Sequence, residues 1–313
     1  VRSLRRARSA APDAPALPQR RAERAGADLA VITMVRDEGA MLRRWVEHYG
    51  REVGVEHLVV LDDGSSDGST ADLPCPVIPL PPLTRPFERS RMGLLSGLAS
   101  GLLEAYDAVV FTDADELLVA DPDRWSDLGH FVHEQPDALA LGALGLNVVH
   151  APGEEPLDPA RGVLEQRAHA TFVPLMCKPA MKWVAADWAA ASHGLRAPYD
   201  VHPDLYLFHL KFADRDHLRA VADHRRAMVE ADGRAAGTSW SKNADEMVEV
   251  LDRAAASVRT DAPVFTAPRG AELDALVIEG DRPGVWRAPK GGQIQAMVRQ
   301  PPQRVPERFV GRA

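Results

Sequence analysis

Only two cysteines, Cys75 and Cys177, occur in the 313 residues, and they lie far apart in the chain. That excludes a disulfide scaffold and a cysteine-based metal site, so the thiols are expected to be reduced and the compartment cytoplasmic. No run approaches the roughly 18 apolar residues needed to span a bilayer, and the N-terminal arginines lack the apolar core of a signal peptide. The formal charge is −8, without the clustered Lys and Arg that a nucleic-acid surface needs. Neither G-x-G-x-x-G nor G-x-x-x-x-G-K-[ST] is present, so nothing points to a dinucleotide fingerprint or a P-loop. Any anionic ligand must be met locally, by side chains and metal.

With 45% hydrophobic and 26% charged residues, the chain is long enough to bury a sizeable core. The opening segment, 1–26, is rich in Arg, Ala and Pro and reads as a disordered basic tail, as does part of a C-terminal extension, 261–313, rich in Pro, Gly and Arg. Their positive balance allows peripheral contact with an anionic membrane face. Between them, 27–260 reads as one main α/β domain, because short apolar runs alternate with segments of helical period.

The run "LAVITMV" (29–35) predicts a strand, and the segment after it carries Met41, Trp45, Tyr49 and Val53 on one helical face. "HLVVL" (57–61) is a second strand and stops at the turn "DDGSSDGST". "PVIPL" is a weak third strand, and "RMGLLSGLASGLLEAY" a second helix. "AVVFT" is a fourth strand, ending in "DADE". Later, "DALALGALGLNVV" and "GVLEQRA" read as strands, while "RDHLRAVADHRRAMVEA" and "NADEMVEVLDRAAASV" read as surface helices. Three strands thus end in polar or acidic residues, and open α/β sheets bind ligands outside those carboxyl ends.

Asp113 and Asp115, at a strand-to-loop junction, can reach one ion or its water shell, and oxygen ligation suits Mg²⁺ or Mn²⁺ with positions left open for phosphate. "DDGSSDGSTADL" begins like a calcium loop, but Pro74 stands where a bidentate Glu is required, which rules out an EF-hand. Asp63, Ser65 and Ser66 read as turn chemistry.

The stretch "VITMVRDEGAMLRRWVEHYGREVGVEHLVVLDDGSSDGS", with "FTDADELLV" some fifty residues on, resembles the family 2 glycosyltransferases of the GT-A fold. The nearest likeness is to the subgroup with an R-D/N-E first loop and a D-x-D/E metal motif. The resemblance covers about 29–120 well and continues more weakly through "CKPAMK", "SHGL" and "LYLFHLKFADRDHL" to about 220. It implies a mostly parallel, Rossmann-like sheet flanked by helices, divided into a nucleotide-sugar half (27–120) and an acceptor half (121–260). The implied activity is transfer of a hexose from a nucleotide diphosphate sugar to an acceptor hydroxyl with inversion, using Mn²⁺ or Mg²⁺.

Carried over by position, Asp37, Glu38 and Asp62 resemble the residues that hold the nucleoside, and Asp113 the ribose-side member of the metal motif. Asp115 resembles the direct metal ligand. His209, in "LYLFHLKF", is a candidate to complete the metal shell with Asp113 and Asp115, and His193 is a second candidate. Lys178 is a candidate contact to the donor phosphates, as are Arg85, Arg89 and Arg91. For the general base, Asp187 leads because Trp183 and Trp188 flank it and aromatic walls would suit a sugar and raise a carboxyl pKa; Asp204 is the reserve. Two other functions are compatible with an acid-tipped strand. One is a phosphatase of the haloacid-dehalogenase type, disfavoured by the two βα steps before the motif and by Leu117. The other is a non-catalytic sugar- or nucleotide-binding module on the same scaffold.

Overall fold

The computed structural model describes residues 29–81, 86–135, 137–233, 236, 239–289 and 291–313. The expected N-terminal tail, 1–26, and Arg85 lie outside the described residues. Strand β1 (Leu29–Val35) is buried along its whole length, as a continuous apolar run requires when both faces of a sheet are covered. It pairs in parallel with β2 (Leu58–Asp62) and with a later strand, Ala108–Phe111. Between β1 and β2 runs α1 (Gly39–Val53). Strand β3 (Val77–Pro79) extends the parallel edge beside β2, α2 (Phe87–Leu102) crosses back, and β4 (Ala108–Phe111) enters beside β1.

After β4 the chain turns through the acidic motif into β5 (Glu116–Ala120), followed by α3 (Leu128–His133), β6 (Ala140–Val148), β7 (His169–Phe172), β8 (Pro179–Lys182) and β9 (Gly194–Leu195). A long strand, β10 (Asp200–His209), runs parallel to β6 and antiparallel to β5. Helices α4 (Arg215–Asp232) and α5 (Ala244–Ala255) then pack on each other. The pairs among β1–β4 are all parallel, as is β10 with β6. Antiparallel pairs enter through β8, which lies between β4 and β6, and through β7.

The rest of the chain is α6 (Ala271–Asp274), β11 (Ile278–Glu279), β12 (Trp286–Arg287), α7 (Gln293–Arg299) and β13 (Gln303–Arg304). Strand β13 pairs with β7, and β11 and β12 form a small sheet with β9. Phe309 is fully buried, with its ring 4.6 Å from that of Tyr206 and 5.3 Å from that of Phe208. Two buried carboxylates anchor the segment: Asp204 accepts from Arg269 at 2.6 Å, and Asp121 from Arg308 at 2.9 Å. The segment "GVLEQRA", expected as a strand, is not one. Its centre, Val163–Glu165, is a single 3-10 turn whose Leu164 N–H bonds the carbonyl of Ala313.

Helix α1 does more than cover the sheet. Trp45 and Tyr49, one turn apart and both fully buried, carry polar tips into the β4–β5 turn. The Trp45 indole donates to Thr112 Oγ1 at 2.8 Å, the Tyr49 hydroxyl donates to the carbonyl of Glu116 at 3.1 Å, and it accepts from Leu118 N–H at 2.9 Å. Buried polar atoms that find partners in this way fix one geometry. The acidic turn is therefore braced from behind.

Two glycines separate packing from propensity. A Cβ on Gly145, in β6, would stand 2.3 Å from Met176 Cβ, whereas one on Gly93, in α2, meets nothing within 4 Å. Gly145→Ala is expected to destabilise by about 1–3 kcal/mol or more through overpacking, and Gly93→Ala to stabilise by up to about 1 kcal/mol through helix propensity. Denaturant midpoints of the two variants check this, and equal shifts of one sign would contradict it.

Candidate functional site

Three loops meet at the carboxyl ends of β1, β2 and β4. The first two are knitted together. Asp37, in the left-handed region at φ 55°, turns its carboxylate onto the second loop, where Oδ1 accepts from the N–H groups of Ser66 (2.6 Å) and Asp67 (3.0 Å). In return, Asp37 N–H donates to Ser65 Oγ at 3.1 Å and Gly39 N–H to Asp67 Oδ2 at 3.3 Å. Asp62 closes its own turn, accepting from Ser65 N–H at 2.8 Å and Thr70 Oγ1 at 3.0 Å. Short polar side chains bond neighbouring backbone readily, so "RDEG" and "DDGSSDGST" act as one rigid rim.

The third loop carries the charge. Glu116 is 1% exposed and accepts from Lys178 Nζ at 2.7 Å and from Asp113 N–H at 2.9 Å. Asp113 bonds Arg91 through Oδ1, with Lys178 3.6 Å from Oδ2. Burial opposes ionisation of Asp113, but Arg91 and Lys178 hold its carboxyl below the usual range. Burial likewise opposes the Lys178 charge, and Glu116 and Asp113 outweigh it and keep the ammonium protonated. Lys178 also reaches Ser192 Oγ at 3.1 Å. Ser192 and Ala191 both hold positive φ, 55° and 54°, a strained pair at the edge of the site.

Asp115 points elsewhere. Its Oδ2 lies 3.3 Å from His209 Nε2 and 3.9 Å from Arg225, which is in turn 3.5 Å from Glu38. Against burial, the charges of His209 and Arg225 hold Asp115 well below the ordinary carboxylate range. Glu38 is the reverse case: burial pushes it up to about 7 despite Arg225, with repulsion from Asp115 and Asp113 added. Strand pairing places His209 opposite Asn147, whose Oδ1 is 2.8 Å from His209 Nδ1. Nδ1–H can donate to Asn147 while Nε2–H pairs with Asp115, and loss of the Nε2 proton would give the tautomer a metal ligand needs. Gln293, at the start of α7, closes this group with Nε2 2.9 Å from the same Nδ1.

Among the described residues, no group of three or more His, Cys, Asp or Glu side chains is arranged to hold a metal. Asp115 and His209 form a two-donor set. Two ligands at right angles on an ion with bonds of about 2.1 Å stand about 3 Å apart, close to their separation here. Asp113, expected beside them, instead meets two protein cations.

The other expected residues divide. Asp187 is exposed, and Trp183 and Trp188 do not wall it: they are 5% and 2% exposed, with the Trp188 indole donating to the Pro179 carbonyl at 2.7 Å. The aromatic enclosure behind its choice as base is absent, because both rings go to the core. Asp204 is taken up by Arg124 and Arg269, an anchor for the chain end. His193 faces the Leu175 carbonyl at 3.1 Å, and burial together with Lys178 pushes its pKa down to about 3. Arg89 is exposed. Sequence reasoning missed Arg225, Asn147 and Gln293. The signal for Arg225 was its place on the stripe of Leu218 and Ala222, which are buried along α4.

Two variants test these electrostatics. Lys178→Met leaves Glu116 and Asp113 facing each other in the interior, and a loss of about 3–5 kcal/mol of folding stability is expected; denaturant titration measures it. For Glu38, a pKa raised to about 7 in the folded state means that stability is fully present below pH about 4.5 and is lost as pH rises through 7. Glu38→Gln should therefore gain on the wild type between those values, by at most about 3 kcal/mol. A difference that does not change with pH would contradict it.

No protein-family model matches the chain, and no curated protein matches it. Solved structures similar to it include the mannosyltransferase PcManGT from Pyrobaculum calidifontis in complex with GDP-Man and Mn²⁺, at 16% identity and a TM-score of 0.27 over 40% of this chain and 36% of that one. Mannose-1-phosphate geranyltransferase from Thermus thermophilus matches at 12% identity and a TM-score of 0.28, over 74% of this chain and 65% of its own. The match spans just over a third of the first protein's length and just under two thirds of the second's. Likeness at that level fixes neither the fold family nor the activity of this chain.

Proposed function

We propose that the protein is a metal-dependent, inverting glycosyltransferase of the GT-A type, similar to family 2, that moves a sugar from a nucleotide diphosphate sugar to an acceptor hydroxyl. The observation that carries this reading is the meeting of Asp115 and His209 at the rim where β1, β2 and β4 end. Asp115 and His209 would hold Mn²⁺ or Mg²⁺, and a bound ion supplies positive charge against the diphosphate as it departs. The knitted rim of Asp37, Asp62 and the second loop orients the nucleoside. Arg91 and Lys178 fix Asp113 for the ribose side of the donor.

Charge balance supports the same reading. The carboxylates Asp113, Asp115 and Glu116, with Glu38, its pKa raised to about 7, beside them, face the cations Arg91, Lys178 and Arg225. A site already neutral accepts a divalent cation best together with a dianionic diphosphate. Asp113, held by two cations, is poorly placed as the free nucleophile that a phosphatase needs. Among the described residues no helix is long and apolar enough to cross a membrane.

Thermal-shift measurements with a panel of nucleotide diphosphate sugars, with and without Mn²⁺, test the proposal. A donor at 100 times its Kd should stabilise the protein by about 2.7 kcal/mol, and Asp115→Asn should abolish the Mn²⁺-dependent part. A panel in which no nucleotide sugar shifts the melting temperature, with or without metal, would overturn the reading.

A further inference from the structure

A cavity of about 90 Å³ lies against β5 on the side away from the acidic crevice; a single water needs about 10–15 Å³. It is lined by Arg44, Glu47, His48 and Arg51 of α1, by Leu117 and by the turn 159–163, and Ala313 completes the wall, its carbonyl accepting from Leu164 N–H at 3.1 Å. Side chains alternate across a strand, so Leu117 faces this cavity while Glu116 turns to Lys178.

Three of the lining side chains are guanidinium groups and one is a carboxylate. Arg44 is 9% exposed, and its guanidinium donates to two neutral carbonyls, Arg161 at 2.8 Å and Asp158 at 2.6 Å. Burial lowers its pKa in spite of the more distant carboxylates of Glu47, Asp158 and Asp214. Arg51 and Arg161 are exposed, and among the described residues the only carboxylate in ion-pair reach of any of the three is Glu165, 3.7 Å from Arg161. His48, 1% exposed, supplies the opposite polarity. Its Nε2 lies 2.9 Å from the Leu118 carbonyl, which can only accept, so Nε2 carries the hydrogen. Burial pushes its pKa down to about 4 and keeps the ring neutral, which leaves Nδ1 as an acceptor. The neighbouring Arg312 carbonyl cannot satisfy an acceptor, and Nδ1 is buried with no hydrogen-bond partner.

The wall selects its ligand. A buried cation bonded only to neutral groups is costly until an anion completes it. Guanidinium forks match the several oxygens of a phosphoryl group, and a neutral imidazole acceptor asks the same ligand for a hydrogen donor. Hydrogen phosphate carries both features in one ion, and a phosphate monoester with a neighbouring hydroxyl carries them in two groups. Sulfate, of similar size and charge, has no hydrogen to give at neutral pH. We propose that this cavity binds a phosphoryl anion that bears a hydroxyl donor, with Arg44, Arg51 and Arg161 on its oxygens and His48 Nδ1 on its hydroxyl. The site is independent of the transferase reading, because it shares no residue with the acidic crevice.

Isothermal titration of the full chain in EDTA with inorganic phosphate, glycerol 3-phosphate and sulfate tests it, in the wild type and in a double variant, Arg51→Met with Arg161→Met, whose replaced side chains are both exposed. The wild type is expected to bind at least one of the two phosphates at least about tenfold more tightly than sulfate, because a site built for a hydroxyl rejects the analogue that lacks it. The double variant is expected to lose at least about tenfold in phosphate affinity. In His48→Phe the preference over sulfate should vanish while some phosphate binding remains; the wild-type selectivity and the double variant decide the matter even if that buried substitution does not fold. Tighter binding of glycerol 3-phosphate than of inorganic phosphate assigns the site to a monoester, and the reverse order assigns it to free phosphate; either order supports the site. A wild type that binds neither phosphate at about 10 mM, that binds sulfate equally well, or that binds phosphate only when Mn²⁺ replaces the EDTA would overturn it. So would a double variant that binds phosphate as the wild type does.

Discussion

Carboxylates gathered in a low-dielectric crevice must be neutralised, and the arrangement around β4 and β5 follows from that constraint. Glu116 is the deepest of them and cannot stand without Lys178. Lys178 in turn reaches the strained Ala191–Ser192 turn through Ser192. Arg91, from α2, does the same for Asp113, and Arg225, from α4, lies between Glu38 and Asp115. Helix α2, helix α4 and the loop before β8 each deliver one counter-charge, so the packing of the domain and the electrostatics of the site share contacts.

Rigidity comes from the opposite side. Trp45 and Tyr49 bury large apolar bodies under the sheet while their polar tips bond Thr112, Glu116 and Leu118. Core formation and placement of the acidic turn are therefore inseparable. The first two loops are stiffened by side chain-to-backbone bonds of Asp37, Asp62 and Asp67. A site on such a frame can keep opposed charges apart by a few ångströms without collapse, which is what preorganisation asks of a catalytic centre.

Much of this was legible in the sequence where periodicity is strong. The run 29–35 is β1 to the residue, and the stripe of Met41, Trp45 and Tyr49 marked the buried face of α1. The D-x-D turn announced itself by acid following a buried strand. What stayed hidden was long-range pairing. Asn147 reaches His209 only because β6 and β10 pair in register, and no local pattern encodes that register. Gln293 lies in a Pro- and Gly-rich stretch with too few apolar residues to mark a fold, yet the buried Met297 and Phe309 anchor that stretch. The surroundings of Asp187 were hidden for a related reason: two flanking tryptophans look like a sugar platform in sequence, but their burial, at 5% and 2% exposure, is decided by the sheet behind them.

The central claim is that Asp115 and His209 hold a divalent ion at the tip of the acidic turn. Anomalous diffraction from crystals grown with Mn²⁺ and a nucleoside diphosphate measures this directly. The expected result is one strong manganese peak at about 2.0–2.3 Å from an Asp115 carboxylate oxygen and from His209 Nε2, with phosphate oxygens filling its remaining positions. A bound diphosphate without manganese, or a manganese peak away from these two residues, would contradict the claim.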